Sequence, residues 1–157
     1  MAKRGAAVLI RYGRDMFLLL RDDKPDISFP LHWAVLAGVV EEGESDDQAI
    51  DRELREEVGT QVDEKEFIGH DSRGTAWYIA TVSGQQVANI RRGEGCGHAF
   101  FSFEGLKSLA RLEGRGGLGG AIKRFMQNAP DQIEKFLRYG PKPDLKRMDT
   151  EAMKWVK

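Results

Sequence analysis

The sequence predicts an α/β domain, and three observations carry that expectation. Short β-rich apolar runs at residues 6–12, 16–21, 65–70 and 75–82 are separated by turn residues. A helix signature, with a capping residue before it and a glycine after it, interrupts them between Ser45 and Gly59. Two amphipathic stretches, 121–128 and 130–139, follow later in the chain.

Taken in order, residues 6–12 and 16–21 flank Gly13-Arg14-Asp15 and form a hairpin. Residues 22–30 hold two prolines among charged side chains and make a surface loop. The stretch 32–40 brings Trp33 and an apolar run ending at Gly38, and 41–45 is a polar turn. Ser45 or Asp46 caps a helix that runs to Val58 and closes at Gly59. Strands over 65–70 and 75–82 are divided by Asp71-Ser72-Arg73-Gly74, and 99–103 is a short aromatic strand followed by a helix over 104–111. The five glycines within 113–120 suggest phosphate binding, but no GxxxxGK[ST] pattern accompanies them, so a loop or linker is expected. Helices over 121–128 and 130–139 complete a domain of residues 1–140, and the polar segment 141–157 is expected to be a partly ordered tail.

Composition narrows the function classes. A chain of 157 residues can bury one substantial core, and 41% hydrophobic with 31% charged residues is an ordinary globular balance. The apolar run 16–20 is far shorter than the ~20 residues that cross a bilayer. Lys3 and Arg4 lead into no signal-peptide cleavage pattern. One cysteine, Cys96, allows neither an internal disulfide nor a CxxC pair, which points to a cytoplasmic setting without a membrane partner. Arg91-Arg92 is too little basic surface to suggest nucleic acid.

The acidic residues carry the chemistry. Between Glu41 and Glu57 stand nine carboxylates and two arginines, a local balance of −7 in a chain of net charge −1. At 100° per residue, Ile50, Leu54 and Val58 share one apolar sector of the helix, while Glu53, Glu56 and Glu57 share the neighbouring one. Like charges at these spacings cost a few tenths of a kcal/mol per pair. A solvated acidic face is the plain reading; a divalent cation that prefers oxygen ligands is the functional one.

Spacing decides between them. Gly38, Glu44, Arg52-Glu53-Leu54, Glu56-Glu57 and Gly59 satisfy Gx5Ex7REUxEExGU, where U is a bulky apolar residue. This resembles the signature of the Nudix hydrolases from Gly38 to Thr60, a multi-residue match of high specificity. Two positions depart from it. Thr60 stands where an aliphatic residue is usual, and Leu36-Ala37-Gly38 replaces the common Pro-Gly-Gly.

The resemblance implies an α/β/α sandwich around a mixed β-sheet, with the signature forming a loop–helix–loop. It implies cleavage of a pyrophosphate linkage in a nucleoside diphosphate derivative, with Mg²⁺ as cofactor and Mn²⁺ as a substitute. Glu53, Glu56 and Glu57 become metal ligands, joined by the backbone carbonyl of Ala37. Arg52 orients the carboxylates, Gly38 braces the loop, and Glu44 braces it or joins the outer shell of the metal. The general base is Glu53 or Glu94. Glu94 resembles the Glu-Gly segment that adds a ligand in MutT-type enzymes, and is equally readable as a turn residue.

Arg21 is a phosphate-binding candidate or a surface salt-bridge residue. Phe29, Trp33 and Tyr78 are candidates for contact with a nucleobase or core residues. Tyr78 also lies downstream of the box where dinucleoside polyphosphate hydrolases carry a tyrosine, whereas the proline common in ADP-ribose hydrolases is absent. The preferred substrate is a nucleoside triphosphate, unmodified or oxidised, yielding the monophosphate and pyrophosphate. Nucleotide sugars and dinucleoside polyphosphates are the alternatives, and a non-catalytic nucleotide sensor is a third. A homodimer is allowed by analogy alone.

Overall fold

The protein is a computed structural model that describes residues 4–59, 62, 64–90 and 97–150. Its elements are β1 (Gly5–Tyr12), β2 (Asp15–Leu20), β3 (Trp33–Ala34), β4 (Leu36–Val39), α1 (Asp46–Val58), β5 (Glu66–His70), β6 (Ala76–Thr81), α2 (Gly84–Ala88), β7 (Gly97–Phe101), α3 (Phe103–Ala110), α4 (Ala121–Asn128), α5 (Pro130–Tyr139) and α6 (Leu145–Met148).

β1 is the centre of a mixed sheet. It runs parallel to β6 from Ala6↔Ala76 to Arg11↔Thr81. Its hairpin partner β2 stays beside it only at Arg11↔Met16 and Tyr12↔Asp15. β2 then diverges to pair with β7, and β4 takes the vacated edge of β1 from Val8↔Leu36 to Gly5↔Val39. This divergence sets β4, with Ala37 and Gly38, at the middle of the sheet. β5 flanks β6 on the far side.

Such a central strand must be apolar on both faces, and Ala6 through Ile10 are each at most 4% exposed. Alternate side chains supply two separate cores. Ala6, Val8 and Ile10 pack with Ile50, Leu54 and Val58 of α1. Ala7 and Leu9 pack with Trp77 and with Ile122, Phe125, Ile133 and Phe136 of α4 and α5. Helices therefore cover both faces of the sheet, as the sequence predicts. No helix among the described residues is long and apolar enough to cross a membrane.

Two features add to the sequence reading. The short helix α2 buries no residue, so no apolar period announces it; the reciprocal Ser83–Gln86 cap forms it locally. The segment after Gly140 is folded through Thr150, since Leu145 and Met148 are 6% and 0% exposed. Two apolar residues in a polar stretch give no periodic signal, and their burial depends on surfaces supplied by β5 and α4.

The glycine-rich loop is docked rather than a free linker. Its Leu118 forms a parallel bridge with Trp33, and Gly119 N–H donates to Trp33 O at 2.9 Å. A Cβ on Gly119 would lie 2.8 Å from His32 Cβ and 3.0 Å from Phe29 Cβ, so only glycine permits this approach.

Candidate active site

Helix α1 is built by local rules. Ser45 Oγ accepts from Gln48 N–H at 3.1 Å, and Gln48 Oε1 accepts from Ser45 N–H at 2.9 Å. Asp46 and Asp47 occupy the first turn, where the helix dipole favours negative charge. Gly59, at φ 68°, closes the last turn by donating to Leu54 O and Arg55 O. Burial of Ala49, Ile50, Leu54 and Val58 then fixes the rotation of the helix and turns Arg52, Glu53, Glu56 and Glu57 away from the core centre.

Arg52 is the hub of the site. Its Nε donates to Glu44 Oε2 at 2.8 Å and pairs with Glu41 Oε1 at 2.9 Å. Nη1 lies 3.0 Å from Glu53 Oε1 and 3.4 Å from Glu56 Oε2, and Nη2 donates to Val39 O at 2.9 Å. One guanidinium thus ties α1, the preceding loop and β4 together. Lysine has neither the planar fork nor enough donors to do this. Arg52→Lys is expected to lower kcat about 10–100-fold, the range for losing a group that orients ligands, with the helix content in circular dichroism unchanged.

The same contacts set the charge states. The Arg52 hydrogen bond, helped by the Glu41 backbone N–H, holds the Glu44 carboxyl below the ordinary carboxylate range. The Arg52 pKa is raised in turn, chiefly by Glu44 and against the effect of burial. Because the folded Glu44 value lies below the unfolded one, its brace is complete above the ordinary carboxylate range. It is lost only as pH falls through the depressed value.

Gly38 shows how tightly β4 meets α1. A Cβ there would fall on the Glu53 carboxylate, with Glu53 Cγ 2.6 Å away. With Gly38 in place, β4 approaches the Glu53 side chain to a distance that any Cβ would obstruct.

Two adjoining clefts open beside this cluster. The first, of about 230 Å³, is lined by Arg21, Lys24, Ala37 and Glu57 among others. The second, of about 200 Å³, shares Arg21 and Ala37 and continues past Phe29 to Arg73, Thr75 and Arg124. The loop between β2 and β3 forms part of their walls. It holds Phe29 and Leu31 at φ 52° and 56°, a conformation non-glycine residues rarely adopt. Arg21 fastens it through Nε to Ser28 O at 2.7 Å, and Gly116 N–H donates to Leu31 O at 2.7 Å.

The structure brings Arg52, Glu53, Glu56, Gly38 and Glu44 together, and sets Arg21, Ala37 and Glu57 around one cleft. Phe29, 49% exposed, lines the second cleft. Trp33 and Tyr78 line neither. Trp33 packs edge-on against Phe101 at 4.8 Å, held in place by β3 pairing. Tyr78 faces the α1 core beside Phe67; burial, with Asp46 and Asp47 nearby, raises its pKa. Glu94 lies outside the described residues.

Among the described residues, no three His, Cys, Asp or Glu side chains form a ready metal-binding group. The Arg52 guanidinium lies within 3.4 Å of Glu44, Glu53 and Glu56. The donors nearby are nonetheless all oxygens, the set that suits a hard divalent cation.

Sequence reasoning missed the far wall of the second cleft. Asp71, Arg73 and Arg124 line it. The one available signal was the Asp-Ser-Arg-Gly turn, where an arginine sits at the tip of a tight connection.

Comparison with known proteins agrees with this geometry. The NUDIX domain model matches residues 1–124. A MutT structure from work on Aliivibrio salmonicida and Vibrio cholerae is 26% identical, covering 87% of this chain and 98% of its own, at TM-score 0.57. The MutT protein of Methanosarcina mazei is 19% identical over 89% of this chain and 96% of its own, at TM-score 0.58. A MutT NUDIX hydrolase from Burkholderia pseudomallei is 18% identical over 77% and 92%, at TM-score 0.54. These last two share the fold alone. No curated protein matches the sequence. With the family model spanning most of the chain and the sandwich fold in place, the chain belongs to the Nudix family and is a Nudix pyrophosphohydrolase.

Proposed function

We propose that the enzyme hydrolyses a nucleoside triphosphate, unmodified or oxidised, to the monophosphate and pyrophosphate in a Mg²⁺-dependent reaction. The observation that carries this reading is the grouping of Arg21, Ala37 and Glu57 around one cleft, beside the Arg52-braced glutamates. Glu53, Glu56, Glu57 and the Ala37 carbonyl would hold the cation, with Glu94 as a further ligand and Mn²⁺ as a substitute. When bound, the ion offsets phosphate charge and acts as a Lewis acid on the linkage under attack.

The chain's own residues do the rest. Arg21 pairs with a phosphate, for which a guanidinium fork is suited. Glu53 or Glu94 takes the proton of the attacking water as a new P–O bond forms and the bridging P–O bond breaks. Arg52 keeps Glu53 oriented throughout. Phe29 supplies an apolar platform for the base or sugar. The enzyme works in the cytoplasm, in keeping with its single cysteine. A second reading, a nucleotide sugar or dinucleoside polyphosphate, is favoured by the second cleft, which extends the first through Arg21 and Ala37 and offers room for a further group.

The test is product release from a panel of nucleoside triphosphates, oxidised triphosphates, nucleotide sugars, ADP-ribose and dinucleoside polyphosphates, with Mg²⁺ and with EDTA. Metal-dependent formation of monophosphate and pyrophosphate from triphosphates is expected. Preference for a two-headed substrate would select the second reading, and inertness toward the whole panel would overturn both.

A further inference from the structure

The family match ends at Arg124, yet the chain beyond it returns to the wall of the second cleft. Asn128 Nδ2 donates to Met148 O at 2.9 Å and to Thr150 O at 2.7 Å, and Arg147 pairs with both oxygens of Asp131 at 2.8 and 3.0 Å. These contacts hold Asp149, a charged residue only 7% exposed.

Asp149 Oδ1 accepts from Arg124 Nε at 3.0 Å and lies 2.8 Å from Nη2; Oδ2 accepts from Ser72 N–H at 2.7 Å. Asp71 approaches the same nitrogen, with Oδ2 3.7 Å from Arg124 Nη2. Asp71 Oδ2 also accepts from Trp77 Nε1, while Oδ1 accepts from the backbone N–H of Arg73 and Thr75. The Arg124, Asp71 and Asp149 side chains are 10%, 3% and 8% exposed, so their charges are poorly screened.

The two carboxylates do different things. Asp71 gives the turn its shape, aided by Asp71 N–H to Thr75 O and Gly74 N–H to Asp71 O. That shape is complete without Asp149. What Asp149 adds is placement, because it ties the turn to α4. Arg21, Arg73 and Arg124 line the adjoining cleft with Asp71, and Asp149 pairs with Arg124, so three guanidiniums face two carboxylates and one net positive charge is left for an anionic ligand.

We propose that Asp149 is a positioning residue of the substrate cleft: it fixes the Ser72–Arg73 turn against Arg124 so that Arg73 meets the part of an anionic substrate remote from the cleaved linkage. This rests on the nucleotide reading above. It makes the C-terminal segment, outside the family match, part of substrate recognition.

The experiment compares wild type, Asp149→Asn, Arg73→Gln and the double variant, using dGTP turnover with Mg²⁺ and amide hydrogen exchange. Asp149→Asn should raise KM about ten-fold, the cost of one charged hydrogen bond, with kcat within about two-fold and faster exchange at Ser72 and Arg73. The double variant should be no worse than the poorer single one, since both act through one contact. Faster exchange with an unchanged KM would make Asp149 purely structural and overturn the proposal, as would additive effects in the double variant. If Asp149→Asn fails to fold, Arg73→Gln decides, and an unchanged KM overturns the proposal. If the wild type hydrolyses nothing, the function reading fails. The same comparison is then made on the Kd of the α,β-methylene analogue of dGTP, where an unchanged Kd in Asp149→Asn and Arg73→Gln overturns the inference and a ten-fold loss upholds it.

Discussion

Glu57→Gln is expected to lower turnover about 10²–10⁴-fold while leaving the protein folded. The loss corresponds to the several kcal/mol that a divalent cation contributes to stabilising a phosphoryl-transfer transition state. Glutamine keeps the size and helix propensity of glutamate. The metal-free variant should therefore remain folded and unfold in one cooperative thermal transition. Steady-state kinetics and thermal melts with EDTA read the two effects separately, and near-wild-type turnover would remove Glu57 from the proposed ligand set. Glu56→Gln, on a side chain that also touches Arg52 at 3.4 Å, should show a comparable fall.

Gly38→Ala is expected to damage both stability and catalysis. The added methyl would collide with the end of the Glu53 side chain, which must shift to clear it and then leaves its place beside Arg52. Gly38 is held in the sheet opposite Ala6, and Glu53 is 14% exposed and paired with Arg52. Overpacking of this kind costs about 1–3 kcal/mol, and a catalytic group displaced by about 1 Å loses on the order of 10²-fold in rate. Denaturant unfolding and kcat measure the two losses. The double variant Gly38→Ala/Glu53→Asp separates them, because the shorter side chain clears the new Cβ. It should recover most of the stability and none of the rate; failure to recover stability would place the strain elsewhere.

Much of the domain was legible from local chemistry. Ser45, Gln48 and Gly59 set the ends of α1, and the Ile50–Leu54–Val58 stripe sets which face is buried, all within one stretch of chain. The helices over 121–128 and 130–139 were legible for the same reason. The fate of aromatic residues was not. Trp33 and Phe29 stand four positions apart in similar surroundings, yet one is packed on Phe101 and the other lines a cleft. Strand pairing and a left-handed backbone at Phe29 separate them, and neither has a one-dimensional signature.

By itself, the sequence determined the family, the signature helix and the carboxylates available to it, because each depends on residue types at short fixed spacings. Only the tertiary structure decided that β4 displaces β2 along β1, that Gly38 must yield its side-chain space to Glu53, and that Ser72 meets Asp149 across 77 positions of chain. Those contacts are set by how two cores close over one central strand, and a packing constraint between distant segments leaves no period in either of them.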